Sequence, residues 1–148
     1  LIVAFEQNPK INCFSISDER AAAFVAMGMA LESKKTVAIV CTSGTAALNF
    51  IPAAAEAILQ EIPLLILTAD RPPEWINQYD GQTVFQNGAF GQHVKRNFAL
   101  LPDYEKSDVD WFANRVFNEA INLSQQPPLG PVQINIPIRE PFYPADNE

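Results

Sequence analysis

The sequence predicts an α/β domain, a parallel sheet with helices on both faces. Short apolar runs alternate with stretches of helical period, and strands alternating with helices of about 15 residues build parallel sheets with right-handed crossovers. Residues 36–41 are apolar almost without interruption, the pattern of a parallel strand buried on both faces. A length of 148 residues suits one domain, and no internal repeat or low-complexity tract divides it.

In chain order, residues 1–8 read as the second half of a helix whose start lies upstream. Residues 11–16 read as a strand. Ser17 or Asp18 then caps a helix running to about Ser33. Residues 21–30 of that helix are apolar on nearly every face, so burial on more than one side is expected. After the strand at 36–41 comes the turn Thr42-Ser43-Gly44. Next is a helical stripe of Ala47, Phe50, Ile51, Ala54 and Ile58, which Pro52 should kink or restart. Residues 63–68 form another strand, and Asp70-Arg71-Pro72-Pro73 opens a short helix.

Residues 77–92 are rich in Gly, Asn and Gln and carry little periodicity. They read as a long loop with a helical turn near 84–86, and such a stretch in a compact domain is usually functional. Residues 94–100 read as a strand. Ser107 caps a helix, with Asp110 in the place of a capping box, and its stripe is Val109, Phe112, Val116, Ala120 and Leu123. Val132, Ile134 and Ile136 form the last strand, closed by Pro137. The tail from Pro141 reads as an inter-domain linker. Both ends therefore read as cut points in a longer protein.

The chain is 48% apolar and only 18% charged, where about a quarter is usual. Either the core is large or some surface is covered by a partner. A net charge of -7 with scattered Lys and Arg argues against nucleic acid, which needs a basic patch. No apolar run has the length of a membrane span, and the expected location is the cytoplasm. Cys13 and Cys41 each sit in an apolar run and read as lone buried thiols. His93 has no second His or Cys at ligand spacing, so a loop or surface role is expected.

Ligands of open α/β sheets bind at the carboxyl ends of the strands. Those ends carry Ser17 to Glu19, Thr42 to Thr45 and Ala69 to Arg71. Each cluster also has a plain reading. Glu19 suits a helix first turn by charge alone. Thr42, Ser43 and Gly44 suit a strand-to-helix cap. Arg71 can pair with Asp70 or Glu74. The glycine turn is neither a Walker loop nor a dinucleotide fingerprint, because no Gly-Lys-Ser/Thr and no G-x-G-x-x-G is present.

Taken together, three motifs resemble the pyrimidine-binding (PYR) domain of thiamine-diphosphate enzymes: Ser17-Asp18-Glu19-Arg20, Thr42-Ser43-Gly44-Thr45-Ala46 and Thr68-Ala69-Asp70-Arg71-Pro72-Pro73. Gly130-Pro131-Val132-Gln133-Ile134-Asn135-Ile136-Pro137 resembles the way such domains end. The branch most similar is that of the 2-succinyl-5-enolpyruvyl-6-hydroxy-3-cyclohexene-1-carboxylate (SEPHCHC) synthases of menaquinone biosynthesis. The resemblance implies a PYR domain over residues 1–141 that lacks its first strand, with a linker starting at 142–148.

It further implies that Glu19 bonds the aminopyrimidine N1′ of the cofactor, with its carboxyl pKa raised by burial against a partner. Thr42, Ser43 and Gly44 would lie against the cofactor. Arg71 and Gln82, eleven residues apart, would meet isochorismate, an arginine fork being suited to its carboxylates. Gly81 departs from the branch's pattern, which has asparagine there. Diphosphate and Mg²⁺ would be held by a separate PP domain of a neighbouring subunit in a homo-oligomer. Its Gly-Asp-Gly and distal Asn do not occur in this chain, so the fragment alone is expected to be inactive. The implied reaction decarboxylates 2-oxoglutarate and joins the remainder to isochorismate. Another thiamine-diphosphate carboligase or decarboxylase, such as an acetolactate synthase, is the alternative enzyme. A non-catalytic α/β assembly domain is the alternative of another class.

Overall fold

A computed structural model describes residues 1–102 and 107–139. The expected linker at 142–148 and the side chain of Ser107, with its capping box, lie outside the described residues. The described residues form five helices and four strands, in the order α1 Ile2–Glu6, α2 Glu19–Ser33, β1 Val37–Cys41, α3 Thr45–Leu48, α4 Ile51–Leu59, β2 Leu64–Asp70, β3 Asn97–Ala99, α5 Ser107–Gln125 and β4 Val132–Pro137. Two 3₁₀ turns, Pro73–Trp75 and Gly91–His93, interrupt the connections. The strands are all parallel, in the order β1-β2-β4-β3.

β2 shows why the apolar runs are continuous. Leu64 and Ile66 face one core, with Ala23, Ala26 and Ala30 of α2 and Ala53, Ala54 and Ala57 of α4. Leu65 and Leu67 face the other, with Val116 and Ala120 of α5. Helices thus cover both faces, and a strand between them needs apolar residues at every position. On α5, Val109, Val116 and Ala120 are buried and Phe112 and Leu123 partly so, as the stripe requires. Asp18 caps α2, its side chain accepting from the Ala21 N–H at 2.6 Å. Pro52 stands in the first turn of α4, where α3 has ended and the helix restarts.

Four expectations are corrected. Residues 11–16 form no strand, because no described segment pairs with them, and Ile11, Phe14 and Ile16 are exposed. Cys13 in that run is consequently exposed, not buried. α2 buries only its Ala23, Ala26 and Ala30 side, while Phe24, Val25, Met29 and Leu31 face outward. The helical turn in the long loop lies at Gly91–His93 rather than 84–86. There the backbone folds into a turn, whereas the 84–86 stretch is held by the side chain of Gln86.

The two thiols are free and differ sharply. Burial, and then the charge of Glu19, push the Cys41 thiol up to about 12. Since the thiolate is the nucleophile, iodoacetamide at neutral pH is expected to alkylate Cys13 and spare Cys41 until the chain unfolds. Peptide mapping checks this, and equal labelling of both in the native chain would overturn it.

Candidate active site at the carboxyl ends of the strands

The polar residues gather where β1, β2 and β4 end. Glu19 opens α2 and is half-buried; its charge acts on Cys41, the last residue of β1. Because residues 11–16 are no strand, Glu19 reaches the site from the helix start beside β1, not from a strand end of its own. Thr42 is exposed, and Ser43 and Gly44 are buried. Gly44 has φ 87° and ψ -146° and stands at the start of α3. This backbone region is essentially open to glycine alone. A Cβ here would lie 3.0 Å from the backbone oxygen of Gln82. Gln82 itself has φ 56°, left-handed for a residue with a side chain. The long loop therefore rests directly on the glycine turn.

Arg71 follows β2. Its guanidinium forms an ion pair with Asp80 at 3.4 Å. Glu74, the other expected partner, pairs instead with Arg139. Asp70 accepts from the backbone N–H of Arg71 at 2.8 Å and from the Asn135 side-chain amide at 2.7 Å. Arg71 lines a cavity of about 330 Å³ with Asp70, Ile76, Phe85, Gln86 and Asn135. Gln82 lies on the same loop but does not line that cavity; it is exposed above the glycine turn. The structure thus joins Gln82 to Gly44, and Arg71 to Asp70, through one connected set of loops. His93 is exposed in its 3₁₀ turn. Gly81 is also exposed, with open space where a side chain would start.

Burial pushes the Asp70 carboxyl above the ordinary aspartate range, against the pull of Asn135, the Arg71 N–H and the Arg71 charge. The folded chain therefore holds this proton more readily than the unfolded chain. Its contribution to stability is highest at low pH and declines as pH rises through the raised value. Urea midpoints followed across that window should show the decline in wild type and lack it in Asp70→Asn. Parallel curves for the two proteins would refute it.

Sequence reading missed Gln86, Gln133, Asn135 and Thr68. All four are buried and hydrogen-bonded to one another. A usable signal existed: Gln133 and Asn135 interrupt an otherwise apolar terminal strand at alternate positions. They share the sheet face of Thr68 and Asp70, since Thr68 pairs in register with Asn135.

Residues 1–94 match the model of the thiamine pyrophosphate enzyme N-terminal TPP-binding domain. The chain belongs to that family. Among similar proteins are 2-succinyl-5-enolpyruvyl-6-hydroxy-3-cyclohexene-1-carboxylate synthases. That of Cytophaga hutchinsonii is 49% identical over 97% of this chain and 26% of its own length. That of Porphyromonas gingivalis is 48% identical over 97% of this chain and 25% of its own length. That of Desulfotalea psychrophila is 45% identical over 97% and 27%. The chain spans about a quarter of the length of these curated relatives. In open α/β sheets ligands bind at the carboxyl ends of the strands, which is where these polar residues gather.

Proposed function

We propose that this chain is the pyrimidine-binding part of a SEPHCHC synthase. The full-length enzyme decarboxylates 2-oxoglutarate and joins the resulting four-carbon unit to isochorismate, in the cytoplasm, as a step of menaquinone biosynthesis. The observation that carries this reading is the convergence of Glu19, the Gly44 turn with Gln82, and Arg71 at adjoining strand ends, in a chain whose relatives bear that name.

The donor set fits the pyrimidine half of thiamine diphosphate. Glu19 offers a half-buried carboxylate to which no described residue donates a hydrogen bond or pairs a charge. Thr42 offers an exposed hydroxyl at the end of β1, and Ser43 and Gly44 give a compact backbone beside it. When bound, the cofactor supplies the electron sink that decarboxylation of a 2-oxo acid requires. Glu19 would hold or give up a proton at a nitrogen of the bound pyrimidine ring. Arg71 orients a carboxylate of the acceptor, and Gln82 hydrogen-bonds it. In this reading the diphosphate and Mg²⁺ are bound by the PP domain of a neighbouring subunit.

Two surfaces support such surroundings. The outward side of α2 is apolar. Beside it a groove of about 700 Å³ runs between residues 11–16 and β1, lined by Ile11, Phe14, Ile16, Val25, Met29 and Val37. β1 pairs only with β2 among the described residues, so an extended segment of the full-length polypeptide has a free sheet edge to join there. No helix among the described residues is long and apolar enough to cross a membrane.

The test is product formation by the full-length enzyme from 2-oxoglutarate and isochorismate, with and without thiamine diphosphate and Mg²⁺. Cofactor-dependent turnover with pyruvate as donor and acceptor instead would establish the acetolactate-type alternative. No cofactor binding at all would leave an assembly domain. In the same enzyme, Arg71→Ala is expected to raise the KM for isochorismate more than that for 2-oxoglutarate, since a charge-assisted contact is worth about 1.5–3 kcal/mol. Equal effects on both substrates would make Arg71 structural, serving only Asp80.

A further inference from the structure

We propose that Gln86 is the positioning residue that seats the 77–92 segment on the strand ends and so fixes Gln82 relative to the Gly44 turn. The inference deepens the proposed function and rests on it for the role of Gln82. Gln86 is 1% exposed, although it lies in a loop whose neighbours Phe85 and Asn87 are exposed. A buried primary amide needs partners for both its oxygen and its nitrogen. Gln86 finds them on two strands and on the turn that follows a third. Its Oε1 accepts from the Gly44 N–H at 2.6 Å, just past the end of β1. Its Nε2 donates to the carbonyl of Ala69 in β2 at 2.9 Å and to Asn135 Oδ1 in β4 at 3.2 Å. Its backbone carbonyl accepts from Gln133 Nε2 at 3.4 Å.

The polarity of these bonds restricts the residue to one that both accepts and donates. Gly44 presents a donor and Ala69 an acceptor to one side chain, so that side chain must carry an acceptor and a donor on one short planar head. An ionised glutamate offers only acceptors, and methionine offers no donor and only a weak sulfur acceptor. The ordering then propagates. Asn135 Oδ1 also accepts from the Thr68 hydroxyl at 2.9 Å, which turns Asn135 Nδ2 toward Asp70 at 2.7 Å. Asp70 in turn accepts from the Arg71 N–H. One buried chain of bonds thus runs from the turn beneath Gln82 to the backbone of Arg71. Gln82, four residues before Gln86, is pressed on Gly44 at backbone contact and holds a left-handed conformation there. With Gln86 released, that contact and that conformation lose the anchor that imposes them.

Gln86→Met and Gln86→Glu in the full-length enzyme test this. In Gln86→Met, amide hydrogen exchange of the free protein should speed up in the 77–92 segment and at 42–45, with β2 and α4 unchanged. The KM for isochorismate should rise about tenfold, the equivalent of one buried hydrogen bond, while that for 2-oxoglutarate stays within about twofold. Gln86→Glu should share the defect at neutral pH and recover as pH falls, because the protonated carboxyl regains a donor for Ala69 while keeping an acceptor for Gly44. Unchanged exchange in the segment overturns the proposal. So does faster exchange with both KM values moving together, or a Gln86→Glu profile parallel to wild type. A wild-type enzyme without isochorismate turnover would overturn the proposed function instead, and hydrogen exchange alone would then decide for or against Gln86.

Discussion

Gly44→Ala in the full-length enzyme is expected to be far more damaging than its size suggests. Two independent effects act at this position. The backbone at φ 87° and ψ -146° is closed to a residue with a Cβ, a strain of about 1–3 kcal/mol. The new Cβ would also meet the oxygen of Gln82 at 3.0 Å and its carbonyl carbon and Cα at 3.1 Å. These are backbone atoms, not the yielding end of a side chain, so the loop itself must move. Displacement of a binding group by about 1 Å can cost 10²-fold in rate. The expectation is a lowered unfolding midpoint together with a large loss of kcat/KM for isochorismate. Gly81→Ala is the internal control. Nothing lies within 4 Å of its added Cβ, so it should stay within about 0.5 kcal/mol of wild type, as surface changes do. If the two variants behaved alike, close approach at Gly44 would have no functional meaning.

The contrast between these two glycines shows what the sequence could and could not display. The sheet was legible because it is covered on both faces. Leu64 to Leu67 must be apolar at every position, and no solvent-facing strand has that pattern. The helix stripe of α5 was legible for the complementary reason, since one face only is covered. Residues 11–16 had the composition of a strand, but a strand is a pairing, and composition cannot supply the partner. α2 is apolar all round, which marks surface to be covered without naming what covers it. The seating of the long loop was illegible altogether. Gln86 looks like any polar loop residue, and its four partners lie 17 to 49 positions away in sequence. Only Gln133 and Asn135 hinted at it, two amides on a strand that is buried throughout. Alternation there describes a strand with one wet face; in the structure that face lies beneath the Gln86 side chain. Motif chemistry fared differently. Glu19, the Thr42-Ser43-Gly44 turn, Arg71 and Gln82 could be singled out by motif, whereas the buried amides packed beneath them could not.

Glu19→Gln in the full-length enzyme should abolish most turnover while leaving the fold nearly intact. The substitution keeps the size of the side chain and one oxygen. Asp18, not Glu19, caps α2, so the fold loses at most the first-turn charge, about 1 kcal/mol. On the proposed function, what is lost is the capacity to hold or release a proton at the pyrimidine nitrogen. General acid–base help of that kind is typically worth about 10²–10⁴-fold. Two readouts separate this from a structural defect. The rate at which bound cofactor exchanges its C2 proton for deuterium should fall with turnover. The Cys41 thiol, now held at about 12 by burial and by the Glu19 charge, should titrate lower, since the charge has gone and the burial remains. The second readout needs no catalysis and reports only that the variant is folded with residue 19 in its place. If the thiol shifts as expected while C2 exchange and turnover stay within a few-fold of wild type with cofactor bound, Glu19 is a helix-start residue and its catalytic assignment falls. If exchange and turnover collapse while the unfolding midpoint holds, a non-catalytic assembly domain is no longer tenable, because assembly requires no ionisable proton at this position.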